Sequence, residues 1–363
     1  MRPLELRTLS SAYMNWAKTK ADAPFNLASS GVLNCRLADL GPLPQGLELH
    51  GPNSYGYPPF VERLAARFGV DPACIVTSQG ASMSNHLAFA ALLEPGDEVL
   101  VEDPAYELLL SALAYLGVRV RRFERRAEAG FALDPEAVAA AITPETRLVV
   151  VTNLHNPSSH LASQETMRQV AEIAAGAGAI LLVDEVYLEL TFRPDPVTAF
   201  TLADNVVVTS SLTKAYGVSG LRAGWILAQP ELAERMRRLN DLYGSVPVHL
   251  GEQLAVVALD RLDTLRARAD TLLEANYAAW RSNVEGHPRL EPSALPAFGT
   301  TLFPRLVGAD AETFCDRLRH DHEVSLAPGR FFERPDRLRI GLAGDPDRTA
   351  EGLRRLAKAL DTV

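Results

Sequence analysis

Residues 206–228 read Val206-Val207-Val208-Thr209-Ser210-Ser211-Leu212-Thr213-Lys214-Ala215-Tyr216-Gly217-Val218-Ser219-Gly220-Leu221-Arg222-Ala223-Gly224-Trp225-Ile226-Leu227-Ala228. Two short apolar runs, Val206–Thr209 and Ala223–Ala228, flank a polar turn, which is the pattern of two buried strands joined by a loop. The loop holds a lysine that composition makes conspicuous. The 36 basic residues comprise 32 Arg and only four Lys: Lys18, Lys20, Lys214 and Lys358. Two of these lie in a polar N-terminal stretch and one on a terminal amphipathic helix; Lys214 alone sits mid-chain. A guanidinium does not deprotonate in a protein, whereas a lysine amine can do so and form a Schiff base.

Outward from this loop, strands and helices alternate. Ile75–Ser78, Glu98–Val101, Val118–Phe123, Leu148–Thr152 and Ile180–Asp184 read as further buried strands, with helices at Ser82–Leu93, Tyr106–Leu116, Pro135–Ile142 and Gln164–Ala177. Such alternation predicts an α/β fold: a three-layer large domain with a mainly parallel sheet covered on both faces. After Pro230 the pattern changes. Glu231–Leu242 and Gly251–Arg281 read as long helical stretches. Strand candidates follow at Thr300–Leu306, Val324–Ala327 and Arg337–Ala343, with helices at Ala311–His320 and Asp347–Thr362. This predicts a smaller α+β domain built from the N-terminal segment and the C-terminal part. The expected divisions are 1–44 for the segment, 45–262 for the large domain and 263–363 for the small one.

At 363 residues, 47% hydrophobic and 22% charged, the chain has ordinary globular composition and a prior of two to three domains. A net charge of -9 argues against a nucleic-acid scaffold. No apolar run is long enough to span a bilayer, and the N-terminus does not read as a signal peptide, so the expected location is cytoplasmic. Cys35, Cys74 and Cys315 are widely spaced and form no CxxC pair, which disfavours a disulfide framework or a metal site.

In open parallel sheets, ligands collect at the carboxyl ends of strands. Polar clusters fall at five of those ends: Ser78–Ser82, Glu102–Tyr106, Asn153–Ser159, Asp184–Tyr187 and Ser210–Lys214. Singly, each is satisfied by a turn; together they describe one site. A dinucleotide fingerprint is excluded, because the one GxG, Gly176-Ala177-Gly178, precedes a strand instead of following it. A lone lysine, an acid at a strand end and a helix N-terminus are what pyridoxal phosphate requires for its aldehyde, ring nitrogen and phosphate.

The stretch Ser211-Leu212-Thr213-Lys214, followed by Gly220-Leu221-Arg222-Ala223-Gly224-Trp225, resembles the lysine signature of class I/II aminotransferases, the aspartate-aminotransferase-like, fold type I group of pyridoxal-phosphate enzymes. The resemblance continues in order through Asn53-Ser54-Tyr55-Gly56, Gln79–Ser82, Asp103–Tyr106, Asn153–Pro157, Asp184–Tyr187 and Arg339–Gly341. It implies that Lys214 forms the Schiff base (an internal aldimine) and shuttles the substrate Cα proton. By the same resemblance Asp184 pairs with the pyridine nitrogen, and Tyr187 and Asn156 bond the phenolic oxygen. Tyr106 stacks on the ring, while Gly80, Ala81, Ser82, Ser211 and Arg222 hold the phosphate. Tyr55 would reach the phosphate of a neighbouring subunit, implying a homodimer with shared active sites. Arg339 would fork onto the substrate α-carboxylate, with Asn156 beside it; the lesser alternative, from the alternating Arg337-Leu338-Arg339-Ile340, is an exposed sheet arginine.

The implied activity is transfer of an amino group between an L-amino acid and a 2-oxo acid. The alternative on the same scaffold is a lyase or synthase: a C–S β-lyase, a cyclopropane-forming synthase or an amino-acid cyclase. A non-catalytic regulator is disfavoured by the acidic charge and the full set of site residues. The chain departs from the family pattern in places. The turn after Asn156 continues Pro157-Ser158-Ser159 without glycine, and His155 precedes it as a structural or rim residue. Phe60 stands where a glycine is usual, and Phe298-Gly299-Thr300-Thr301-Leu302 stands for the family's glycine- and aromatic-rich strand, a departure expected to change the substrate pocket. Asn240 occupies the position of a side-chain carboxylate-binding arginine, which disfavours a dicarboxylate substrate, although Arg237 and Arg238 are near.

Overall fold

The computed structural model describes residues 10–191, 196–291, 296 and 298–363. The first nine residues of the N-terminal segment therefore lie outside the described residues. Helix α1 (Ala12–Thr19) and a short strand β1 (Phe25–Asn26) precede α2 (Pro58–Phe68). Seven strands then form one sheet: β2 (Ile75–Gln79), β3 (Glu98–Asp103), β4 (Arg119–Glu124), β5 (Thr146–Thr152), β6 (Ile180–Asp184), β7 (Val206–Ser211) and β8 (Ala223–Leu227). Its order is β2-β8-β7-β6-β5-β3-β4. The pairs among β7, β6, β5, β3 and β4 are parallel, and β8 runs antiparallel to both neighbours.

The helices α3 (Ala81–Leu92), α4 (Glu107–Leu116), α5 (Pro135–Ala141) and α6 (Gln164–Gly176) fill the crossovers, and α7 (Pro230–Asn240), α8 (His249–Leu259) and α9 (Leu262–Asn283) follow. Alternation along the strands sends residues to opposite faces. Leu148, Val150, Leu182 and Val207 pack with α3, α4 and α7 through Leu87, Leu113 and Met236. Val149, Val151, Leu181, Val183 and Val208 pack on the other side with Phe60, Met167, Val170 and Ala258. Both faces are thus apolar and covered, which is why these strands read as continuous hydrophobic runs. Phe60, in the position where glycine was expected, is part of this core and fully buried.

A smaller core lies between the C-terminal half of α9, α10 (Ala311–His322) and α11 (Pro346–Leu360), through Trp280, Phe314, Leu318, Leu353 and Leu356. It packs on an antiparallel three-stranded sheet of Thr301–Leu302, Leu338–Gly341 and Ala327–Pro328. The N-terminal segment reaches both units: β1 pairs with Val324–Ser325, and α1 packs on α4.

Three expectations need correction. Val324–Ala327 is not one strand: Val324–Ser325 pairs with β1, and Ala327–Pro328 pairs with Leu338–Gly341 in a different sheet. The stretch Gly251–Arg281 is not one helix but two, α8 and α9, divided at Asp260 and Arg261, where Asp260 is drawn outward by Arg63 at 2.7 and 3.2 Å. Thr300–Leu306 is not one strand, because Phe303-Pro304 separates two pieces and a proline cannot donate to a ladder.

Candidate active site

The carboxyl ends of the parallel strands open onto a cavity of about 360 Å³, within the range of small-molecule sites. Ala81, Ser82, Tyr106, Asn156, Asp184, Tyr187, Ser211, Lys214 and Arg222 all line it. Those nine residues, expected from sequence, therefore meet in one place. Tyr55 does not line it; 43% exposed, it hydrogen-bonds Asp241 Oδ2 at 3.4 Å and lies against Arg238.

Lys214 sits in the loop between β7 and β8. Its carbonyl accepts from Val32 N–H at 2.9 Å, and the Gly217 carbonyl accepts from Cys35 N–H at 2.7 Å, so the N-terminal segment fixes the loop. The Lys214 amine donates to Ser30 Oγ at 3.2 Å, and Tyr187 donates to the same oxygen at 2.8 Å. Burial pushes the amine below the ordinary lysine range, helped by the Arg339 and Arg222 charges.

Asp184 ends β6 and is buried. Asn85 Nδ2 on α3 donates to its Oδ2 at 2.8 Å, and Val186 N–H donates to its Oδ1 at 3.0 Å. Thr209 in turn donates to Asn85 Oδ1 at 2.5 Å, which orients the amide. Burial raises the Asp184 carboxyl to about 6, against the opposing effect of these hydrogen bonds. Such an acid becomes an anion readily once a cation faces it.

A helix N-terminus, a hydroxyl and a guanidinium occupy the far corner. Gly80 caps α3 with φ 82 and no side chain, leaving the first amides open. A Cβ on Gly80 would stand 2.4 Å from Arg222 Nη2, and one on Gly224 would stand 2.6 Å from the Gly80 backbone, so both glycines are required for this approach. Arg222 donates to the Gln79 carbonyl at 3.1 Å, which aims it across the helix end. This corner has the donors and positive field that a phosphate needs.

Arg339 is fully buried, not an exposed sheet residue. It donates from Nη2 to Tyr13 Oη at 2.7 Å and to the Ala28 carbonyl at 2.8 Å, and from Nη1 to Asn156 Oδ1 at 3.2 Å. Its Nε finds no hydrogen-bond partner among the described residues. A buried guanidinium with an idle donor, near the cavity, fits an anionic group of a ligand. Asn156 is positioned by Thr152, whose Oγ accepts from its backbone N–H at 3.2 Å, and Thr152 is held by Glu102. Tyr106 meets Tyr13 edge-on at 5.4 Å.

Several lining residues were missed by sequence reasoning, among them the polar Tyr13, Ser30, Asn85 and Thr152. Only Thr152 ends a recognised strand; the others lie in unremarkable local sequence. His155 is structural: buried, it bonds the Pro104 carbonyl at 3.0 Å and Ser158 at 2.7 Å, and burial pushes its imidazole well below the usual range. Ser159 adopts φ 60 in place of the usual glycine and bonds the Thr301 carbonyl at 2.9 Å. Asn240 does not line the cavity; its carbonyl accepts from Gly244 N–H at 2.9 Å.

An α/β scaffold with lysine, buried acid and phosphate corner at one rim defines a pyridoxal-phosphate enzyme. Residues 45–360 match the family model for aminotransferase class I and II, and the chain belongs to that family. Capreomycidine synthase of Streptomyces vinaceus is 33% identical over 94% of this chain and 90% of its own. Arginine–pyruvate transaminase of Pseudomonas aeruginosa is 31% identical over 82% of this chain and 77% of its own. The solved structure of the PLP-dependent cyclase OrfR superposes with a TM-score of 0.88 at 26% identity, covering 100% of both chains.

Proposed function

We propose that the enzyme moves an amino group between an L-amino acid and a 2-oxo acid, with the cavity residues in the following roles. When bound there, pyridoxal phosphate supplies an aldehyde for an amine and a ring that withdraws electrons from the substrate α-carbon. Lys214 is the amine that holds the cofactor and that takes and returns the Cα proton; a depressed pKa keeps it competent as a base. Asp184 holds the ring nitrogen's proton in place. The Asn156 amide donates to the phenolic oxygen, its carbonyl being committed to Arg339, and Tyr187 turns its hydroxyl proton from Ser30 to that oxygen when the cofactor is bound. Tyr106 covers the ring. Ser211, Arg222 and the Gly80–Ser82 amides hold the phosphate, and Arg339 binds the α-carboxylate.

The observation that carries this reading is the convergence of Lys214 and Asp184 on one cavity, with Arg339 hydrogen-bonded to Asn156 and Tyr13 in its wall, from separate parts of the chain. Tyr55 is assigned to the neighbouring subunit's phosphate in a homodimer. Supporting this, Tyr55, Tyr115, Leu242, Tyr243, Val246 and Val248 are all exposed, and the His86 ring lies 5.2 Å from Tyr243 and 6.1 Å from Tyr115. We assign the divisions near residues 44 and 262 to domain boundaries. Among the described residues no helix is long and apolar enough to cross a membrane, and a cytoplasmic location is part of the proposal.

A cyclase or lyase outcome is the second reading, favoured by the synthase and cyclase relatives that cover nearly the whole chain. An absorbance titration with a panel of amino acids, arginine included, separates the two. Conversion of the cofactor to its amine form, reversed by a 2-oxo acid, supports transamination. A cyclised product, or pyruvate and ammonia, without any oxo-acid acceptor supports the second reading.

A further inference from the structure

The segment from Leu27 to Cys35 threads between the Lys214 loop and the strand that carries Arg339. Gly341 N–H donates to the Leu27 carbonyl at 2.6 Å, and Val32 N–H donates to the Lys214 carbonyl at 2.9 Å. Thr300 Oγ donates to the Ser30 carbonyl at 2.6 Å. Gly31 is so close to the lysine that a Cβ there would lie 3.2 Å from Lys214 Cδ. The backbone around Ser30 is therefore fixed by contacts that do not involve its side chain.

That side chain is buried and borders the cavity. Its oxygen accepts from Lys214 Nζ at 3.2 Å and from Tyr187 Oη at 2.8 Å. A serine oxygen has two acceptor positions and one proton. Both acceptor positions are used by two groups that the proposed reaction needs, and the proton is left over at the cavity wall.

We propose that Ser30 is a positioning residue for Lys214: its hydroxyl gives the amine a fixed docking point beside Tyr187 whenever that amine is free. A proton is then taken up and returned at Nζ from a single place. The proposal rests on Lys214 being the cofactor lysine. The titratable and charged groups facing Nζ are Tyr13 from α1, Asp184 and Tyr187 after β6, Arg222 before β8, and Arg339. Burial and the two guanidiniums disfavour the ammonium, while Tyr13 and Asp184 favour it. The Ser30 oxygen favours it too, because it accepts a charge-assisted hydrogen bond. Removing that acceptor should therefore lower the pH at which the amine loses its proton.

The test uses full-length Ser30→Ala, Ser30→Cys and Ser30→Thr. In cofactor-free protein, the rate of Lys214 acetylation by limiting acetic anhydride is followed against pH by peptide mass spectrometry. The alanine variant, and the cysteine variant with its weak acceptor, should shift the midpoint down by about one pH unit. Threonine, which keeps the hydroxyl, should stay with the wild type. In loaded enzyme, alanine should slow Cα-proton exchange roughly tenfold while the amino-acid KM stays within about twofold. A midpoint and exchange rate unchanged in both the alanine and cysteine variants overturn the proposal. Because the acetylation profile is read without cofactor, it is distinct from failure of Lys214 to hold pyridoxal phosphate, which would instead sink the underlying reading.

Discussion

Arg339 Nη1 donates to Asn156 Oδ1 at 3.2 Å across 183 residues of sequence. The bond ties the small antiparallel sheet to the turn after β5, and both side chains are buried. It also settles the orientation of the amide: with the carbonyl occupied by the arginine, the NH₂ is the end that can donate into the cavity.

Arg339→Lys should therefore weaken the grip on an α-carboxylate without removing the charge. A point charge replaces a planar fork, and the loss should be about 10- to 100-fold in kcat/KM for α-amino acids, mostly in KM. A simple amine lacking the carboxylate should react as with wild type. Steady-state kinetics with matched acid and amine pairs check this, and equal losses for both substrates would remove the carboxylate assignment.

Asp184 links the site to stability. Its carboxyl goes from 3.8 in the unfolded chain to about 6 in the cofactor-free fold, so the fold binds the proton more tightly. The stabilisation is full below the unfolded value and is lost as pH rises through the folded one. Relative to Asp184→Asn, cofactor-free wild type should lose about 2 kcal/mol between pH 4 and pH 6. Urea unfolding of both proteins across that window measures the difference.

Beneath the cavity floor, Arg125 and Glu102 form a fully buried ion pair at 2.6 Å, and Glu102 also accepts from Thr152 N–H at 2.8 Å. Removing one partner leaves a bare charge in the interior. Arg125→Met should cost about 3–5 kcal/mol in unfolding free energy, and adding Glu102→Leu should recover a substantial part of it. A single variant as stable as wild type would show that the pair has no such role.

Tyr55 tests the shared site. Tyr55→Phe should weaken cofactor retention by about 1–3 kcal/mol, the value of one hydrogen bond to a charged group. Mixed with Lys214→Ala protein, it should form hybrid dimers in which one composite site carries neither substitution and regains activity. Sedimentation showing an active monomer would remove the role for Tyr55.

Much of this site was legible because strand ends announce themselves. Val206–Ser211 and Ile180–Asp184 are apolar runs that stop at a polar residue, and in a parallel sheet such stops gather on one rim. What escaped depends on distance in the chain. Ser30 meets Lys214 across 184 residues and Arg339 meets Tyr13 across 326, and no local pattern distinguishes a serine or tyrosine with such a partner. The antiparallel course of β8 was hidden for the same reason, since a buried strand has the same composition in either direction.

Whether Lys214 carries the cofactor is read by borohydride reduction of the purified protein followed by peptide mapping. One reduced pyridoxyl group should be found, on the peptide containing Lys214, and none in Lys214→Ala. A label on Lys18, Lys20 or Lys358, or a Lys214→Ala protein that keeps covalent cofactor and full turnover, would contradict that assignment.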